Sequence, residues 1–307
     1  MSDIYQYSIV IPHYNTPNLL KRCIASIPNR VDVQVIVVDD NTPGNEHYME
    51  EIPELARCEF YVTKDKKGAG HVRNVALPHI KGKKVIFADA DDLFVDDFSS
   101  ILDEYENDDS DIIFFNTRGA YSDDLSKDSN RNKDKLFAHY YEVGDINEFR
   151  YQYTEPWGKI YSSRLIKEYH IEFDETVVAN DQMFSVKTGV FAKKIKVVNR
   201  PFYIVTVREG SLSYKYVDTK EKLLARFHVM ARVQVFLNEH GYCKNRMMIF
   251  GHAVNLLRRY PFTFMLEMFS VHKLGISVRK LLKQILLERI LAPSKRVNLD
   301  VDKVNYK

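Results

Sequence analysis

The sequence predicts an α/β fold, a mostly parallel sheet flanked by helices, with a helical C-terminal region after it. Three observations carry that expectation. Short apolar runs rich in Val and Ile alternate with helix-like segments through the first part of the chain. Those runs are apolar at consecutive positions, as strands buried on both faces require. From about Thr219 onward the apolar residues recur at spacings of three and four, the period of packed helices.

The elements follow in order. YSIVIP (7–12) is the first strand. Thr16-Pro17 then reads as a helix cap followed by Pro at the first helical position. Leu19, Leu20, Cys23, Ile24 and Ile27 share one face of the helix that this pair opens. VQVIVVDD (33–40), EFYVT (59–63), KKVIFAD (83–89) and DIIFFNT (111–117) are four further strands. Gly68 to Ile80 reads as a helix behind a Gly-rich turn. The polar stretch from Tyr121 to Lys135 lacks apolar periodicity and is expected to be a mobile loop or lid. A mixed region, 140–216, contains EPWGKIY (155–161), ANDQMF (179–184) and the strand-like KVVNRPFYIVTV (196–207). The expected division is a domain over 1–216, with halves 1–118 and 140–216, and a basic helical region over 217–307.

Composition bounds the function classes. With 307 residues, 45% hydrophobic and 28% charged, the chain is an ordinary globular protein able to bury a core. The net charge of +2 hides an asymmetry, because from Lys220 onward 17 Lys and Arg face 6 Asp and Glu, leaving the rest net acidic. Cys23, Cys58 and Cys243 are odd in number and far apart, with neither metal-site spacing nor a disulfide framework, which suits a reducing compartment. The start MSDIYQYSIVIPHYN lacks the basic and apolar regions of a signal peptide. No run approaches the ~18 apolar residues of a spanning helix. The expected location is the cytoplasm, with the inner face of the membrane as a second surface that the basic helices could reach.

Chemistry gathers at the strand ends. Ligands of open α/β sheets bind beyond the carboxyl ends of the strands. Here the first strand runs into PHYN (12–15), the second into VDDN (38–41) and the fourth into DADD (89–92). If these strands are parallel, the three ends meet along one edge. A nucleotide would lie there with its base near Asp40 and Tyr14 and its diphosphate near Asp91 and Asp92. Carboxylates and a diphosphate repel, so a divalent cation must sit between them, and all-oxygen ligands favour Mg²⁺ or Mn²⁺. Taken singly, each piece has a plainer reading: Asp92 as a turn or helix cap, Gly68-Ala69-Gly70 as a bare turn. A Rossmann fingerprint is absent, because the first strand leads into Pro12 rather than into glycines.

The ordered set is more specific than its parts. SIVIPHYN (8–15), VIVVDDNT (35–42), GAGHVRNVAL (68–77), VIFADADDLF (85–94), and the pair EPWGKIY with NDQMF resemble the GT-A-fold, family 2 inverting glycosyltransferases over roughly residues 6 to 216. The resemblance implies that Pro12, Tyr14 and Asn15 line the base and ribose and that Asp40 hydrogen-bonds the base. It implies that Arg73 lies near the nucleotide and diphosphate. In the D-x-D region it implies Asp91 and Asp92 as metal ligands and Asp89 at the sugar or ribose. Asp181 matches the catalytic base, and its plainer reading is a cap of the helix that follows. Asn180 departs from the family, which often carries an acid there, and loses a charge that would tune the base.

On this reading a sugar, a hexosyl or N-acetylhexosaminyl group, moves with inversion from a nucleotide-diphosphate donor, a UDP-sugar by family weight, to a glycan or lipid-linked hydroxyl. Trp157 is the only tryptophan and offers either an aromatic face to an acceptor sugar or a packing residue. Glu155 and Asn180 complete the expected acceptor side. Arg208, in VREGSLS (207–213), is a candidate for the diphosphate. His13 has no second His at metal spacing and is expected to line the site. Two other classes remain in view: a sugar-nucleotide-binding protein without turnover, and a sugar nucleotidyltransferase. The latter lacks an early phosphate loop with Arg and Lys. The basic helices pair Arg258-Arg259, Arg279-Lys280-Lys283 and Lys295-Arg296 with apolar faces. They suit either an anionic membrane surface or packing within the chain or between copies. No nucleic-acid module is recognisable.

Overall fold

The structure, a computed structural model, describes residues 5–208, 219–242 and 247–291, with side chains as far as residue 287. In chain order the elements begin with β1 (Tyr7–His13), α1 (Pro17–Ala25), β2 (Val33–Asp39), the short α2 (Tyr48–Glu51), β3 (Glu59–Val62), α3 (Ala69–Ala76) and β4 (Lys84–Phe87). Next come β5 (Leu93–Phe94), α4 (Phe98–Glu104), β6 (Ile112–Tyr121), α5 (Asp134–Val143), α6 (Asn147–Tyr151), β7 (Lys159–Ser162), α7 (Ser163–Glu168), α8 (Gln182–Phe191) and β8 (Ile195–Val207). The described residues after β8 form the helices α9 (Lys220–Glu239), α10 (Phe250–Arg259), α11 (Pro261–Lys273) and α12 (Val278–Leu291).

Among the described residues, eight strands form one mixed sheet in the order β3-β2-β1-β4-β7-β6-β8-β5. All residues of β1 and β2 are buried, as their unbroken apolar runs foretold. The contiguous set β3, β2, β1 and β4 is parallel, with His13 opposite Asp39 and Val10 opposite Phe87. The carboxyl ends of β1, β2 and β4 therefore emerge along one edge, and the turn after each carries one of the polar motifs. β7 pairs antiparallel with both β4 and β6. It comes from the EPWGKIY stretch, whose strand character was not foreseen.

The stretch 121–135, expected to be a mobile loop, is tied down. Ser122 N–H donates to Val207 O at 2.8 Å, and Lys133 N–H donates to the Asn116 Oδ1 of β6 at 3.1 Å. Gly119 permits the close approach, because a Cβ there would lie 2.3 Å from Arg131 N. A register shift in β6 at Asn116 turns that amide toward Asp134 and Asn199, which its Nδ2 reaches at 2.7 and 2.8 Å. Polarity signalled a loop correctly, but its side-chain anchors lie far away in sequence.

The chain divides into two compact units. One holds the sheet, with residues up to Glu175 and from Phe184 through β8. The other joins Thr176–Met183 to the C-terminal helices, so the short segment with Asn180 and Asp181 groups with the helical unit. Among the described residues no helix is long and apolar enough to cross a membrane.

Candidate active site

The site is built on a buried network beneath the β1 and β2 ends. Asp39 is fully buried, and its Oδ1 accepts the Thr42 N–H at 2.6 Å and the Asn45 amide at 3.0 Å. Its Oδ2 accepts the Thr42 hydroxyl at 2.8 Å and His13 Nδ1 at 2.7 Å. His13 Nε2 in turn accepts the Thr16 N–H at 3.0 Å. The ring therefore carries its proton on Nδ1 and is neutral, a tautomer fixed by both neighbours. Burial pushes the Asp39 carboxyl up, but the hydrogen bonds from His13, Asn45 and Thr42 outweigh it and hold it below the usual carboxylate range. This network holds Asn15, whose N–H donates to Thr42 Oγ1 at 2.8 Å, in the left-handed region at φ 51°. Asn and Asp are the non-glycine residues that tolerate that conformation.

Pro12 is buried in β1, whereas Tyr14 presents an exposed ring beyond the strand end. Lys66 Nζ lies 3.4 Å above that ring. Asp40, expected to meet the base, is 3% exposed, and its two oxygens accept the N–H groups of Lys67 and Gly68 at 2.9 and 2.8 Å. It shapes the turn that opens α3. On α3, Arg73 is buried, and its Nη2 meets Asp89 Oδ1 at 2.6 Å, with the guanidinium 5.3 Å from the Phe173 ring.

The three carboxylates after β4 have different surroundings. The Asp89 and Asp91 side chains are 34% and 33% exposed. Burial, then the neighbouring Asp89 charge, push the Asp91 carboxyl above its ordinary range. Arg208 Nε lies 3.9 Å from Asp91 Oδ2, and residues 209–213 of VREGSLS fall outside the described residues. Asp92, expected beside Asp91 as a second metal ligand, is 3% exposed and turned inward, its Oδ1 accepting the Thr206 N–H at 2.7 Å. Burial, with Asp91 and Asp89 nearby, drives its pKa far up. Asp92 thus braces the β5–β8 corner, and the pair that shares the solvent-facing edge is Asp89 with Asp91.

That pair suits a hard divalent cation. Among the described residues no three His, Cys, Asp or Glu side chains converge as a metal cage. Mg²⁺ or Mn²⁺ arriving with substrate phosphates needs only one or two carboxylates. Burial is the larger cause of the raised Asp91 carboxyl, and the smaller one, repulsion from Asp89, is what such a cation would relieve.

Behind the carboxylates lie residues that sequence reasoning missed. The Tyr203 hydroxyl accepts the Asp89 N–H at 2.7 Å and donates to Asp92. Thr206 Oγ1 and Arg22 Nη2 donate to Asp91 O at 2.7 and 2.8 Å. Trp157 is the main correction on the expected acceptor side. It is 7% exposed and stacks on Tyr203 with ring centroids 5.8 Å apart. Its face is occupied by core packing, so it supports the carboxylate turn through Tyr203 rather than offering a platform to a sugar. Glu155 keeps the expected polarity. Its Oε1 pairs with Lys133 Nζ at 2.7 Å, while Oε2 is buried without a hydrogen-bond partner. Burial pushes this carboxyl up, but the charges of Lys133 and Lys159 hold it below the usual range. Asn180 and Asp181 are half-buried, Asp181 directly preceding α8.

A parallel sheet edge with three polar strand ends, continued by an antiparallel strand into a mixed half, defines the GT-A class of α/β folds. The chain belongs to glycosyl transferase family 2, whose profile, described as "Glycosyl transferase family 2", matches residues 8–172. A glycosyltransferase from Streptococcus pneumoniae, GlyA, is 26% identical over 249 residues, spanning 76% of this chain and 35% of that protein. The poly(ribitol-phosphate) beta-N-acetylglucosaminyltransferase TarS of Staphylococcus aureus is 27% identical over 229 residues, 70% of this chain and 38% of its own. The chain thus spans little more than a third of the length of these two relatives. Among solved structures, S. aureus TarS 1-349 in complex with UDP-GlcNAc covers 84% of this chain and 73% of its own, with TM-score 0.57 and 23% identity. A mannosyltransferase from Pyrobaculum calidifontis, in complex with GDP-Man and Mn²⁺, covers 99% of this chain and 86% of its own, with TM-score 0.56 and 14% identity. At those identities the structural likeness establishes the fold.

Proposed function

We propose that the chain is an inverting glycosyltransferase that moves a hexosyl or N-acetylhexosaminyl group from a UDP-sugar to a hydroxyl of a glycan or lipid-linked acceptor in surface polysaccharide assembly. The observation that carries this reading is the single edge along which β1, β2 and β4 end, with Tyr14 and Asn15, the Asp40 turn, and Asp89 with Asp91 in succession. The TarS name, and the UDP-GlcNAc in its complex, support the donor class.

On this reading the residues divide the work. Pro12, Tyr14 and Asn15 bound the base and ribose, held by the network of the His13 ring and the Asp39 carboxylate. Asp40 orders the Lys67–Gly68 turn, which brings backbone groups toward the nucleotide. Asp91, with Asp89 held by Arg73, would hold Mg²⁺ or Mn²⁺, which supplies charge neutralisation for the departing diphosphate. Arg208 adds a cation beside Asp91. Asp181 takes the proton of the attacking acceptor hydroxyl, so that one in-line displacement inverts the anomeric carbon. Asn180 orients that acceptor, and the unpartnered Glu155 Oε2 accepts from one of its hydroxyls.

The reading is tested with a panel of nucleotide sugars in the presence of Mn²⁺, measuring thermal unfolding. At about 100-fold excess over its dissociation constant, a true donor stabilises the fold by about 2.7 kcal/mol. A UDP-sugar is expected to raise the midpoint. A panel that leaves it unmoved throughout overturns the proposal.

A further inference from the structure

We propose that the C-terminal helical unit docks on an anionic lipid bilayer through the outer face of α11. On this helix Phe262, Met265, Leu266 and Phe269 stand at i, i+3, i+4 and i+7, which places them in one stripe. Their exposures are 74%, 63%, 55% and 70%. The other side of the helix is apolar as well, with Phe264 4% and Val271 1% exposed. Among the described residues one apolar side of α11 packs in a core, while the stripe on the other side is uncovered. On α12, Leu282 and Leu286, one turn apart, are exposed while Leu281 and Ile285 are buried. A stripe of this kind on a folded surface marks an interaction face.

Charge identifies the occupant. Between Phe250 and Leu287 the basic residues are Arg258, Arg259, Lys273, Arg279, Lys280 and Lys283, and all six are exposed. The single acid is Glu267, which pairs with His228 of α9 at 2.8 Å. A second copy of the same face would bring these cations together, and like charges across an interface oppose association. An anionic headgroup layer attracts them, while exposed Phe, Leu and Met side chains enter the boundary below the headgroups. The face therefore suits interfacial attachment, not a span.

The test floats the full-length protein with vesicles of pure phosphatidylcholine, or of phosphatidylcholine with about 30% phosphatidylglycerol. The wild type is expected to float with the anionic vesicles about tenfold more than with the neutral ones, and to release in high salt. The double variant Phe262→Ser/Phe269→Ser is expected to lose at least about fivefold of that binding. Both side chains are exposed, so its melting temperature should match the wild type, which separates a lost contact from a lost fold. The variant Arg258→Gln/Lys273→Gln/Arg279→Gln should also bind less, with the salt dependence weakened. Failure of the wild type to float with anionic vesicles overturns the proposal. So does binding that the Phe pair leaves unchanged, or a concentration-dependent dimer, abolished by the Phe pair, in place of lipid binding.

Discussion

Replacing Asp39 with Ala examines the base of the nucleotide edge. The carboxylate serves four donors, and two of them, His13 Nδ1–H and the Thr42 N–H, belong to residues 2% exposed. His13 cannot escape by changing tautomer, because Nε2 already accepts from Thr16. A buried donor left without a partner costs about 1–3 kcal/mol, so two such donors cost roughly 2–6 kcal/mol, and water entering the space brings the expectation to about 3 kcal/mol. In a unit of this size that loss lowers the melting midpoint by roughly 6–12 °C. Urea unfolding at neutral pH measures the loss, and a double-mutant cycle with His13→Ala should give a coupling of about 0.5–3 kcal/mol. The pH dependence has a definite sign. The Asp39 carboxyl is depressed in the folded state, so its stabilisation is present above the unfolded pKa of about 3.9 and is lost as pH falls through the lower folded value. The gap between wild type and variant should stay constant from about pH 5 to pH 8 and narrow below about pH 4. A loss under about 1 kcal/mol, or a gap that widens in acid, refutes the reasoning.

Three further outcomes are expected. Trp157→Ala should destabilise by about 3–5 kcal/mol in denaturant unfolding, while Trp157→Phe should leave the acceptor KM within about twofold, since a packing residue holds no substrate. Gly158→Ala should cost more than about 2 kcal/mol, because φ is 71° and the new Cβ would lie 2.0 Å from Tyr153 Oη. Asp91→Asn, or chelation of divalent ions, should lower transfer by at least about a hundredfold with circular dichroism unchanged, and Mn²⁺ should restore only the chelated wild type.

The central strands were legible because burial on both faces writes itself locally, as in VQVIVVDD. The polar ends of β1, β2 and β4 were legible for a related reason: charge after a buried run needs an explanation. What escaped the sequence depends on partners distant along the chain. Asp92 looks like Asp91 in the string DADD, yet Thr206, 114 residues away, accounts for its inward turn. Trp157 was open to two readings until Tyr203 covered one face. β7 was hidden because it is four residues long and begins at Lys159, a buried cation from which the Tyr153 and Glu155 carbonyls accept at 2.5 and 2.7 Å. His13 and Asp39 sat inside motifs whose neighbours drew the functional reading. The pairing of His13 with Asp39 across β1 and β2 becomes visible only with the strand register.

Asp181 as the base and a nucleotide sugar as the donor are tested together in one experiment. Wild type and Asp181→Asn are each given a UDP-sugar, Mn²⁺ and a hydroxyl acceptor, with donor affinity and sugar transfer measured on the same samples. Both proteins are expected to bind the nucleotide sugar alike, and the variant to lose about 10²–10⁴ in transfer rate. Transfer by the variant at the wild-type rate, or no binding of a nucleotide diphosphate by either protein, would contradict that expectation.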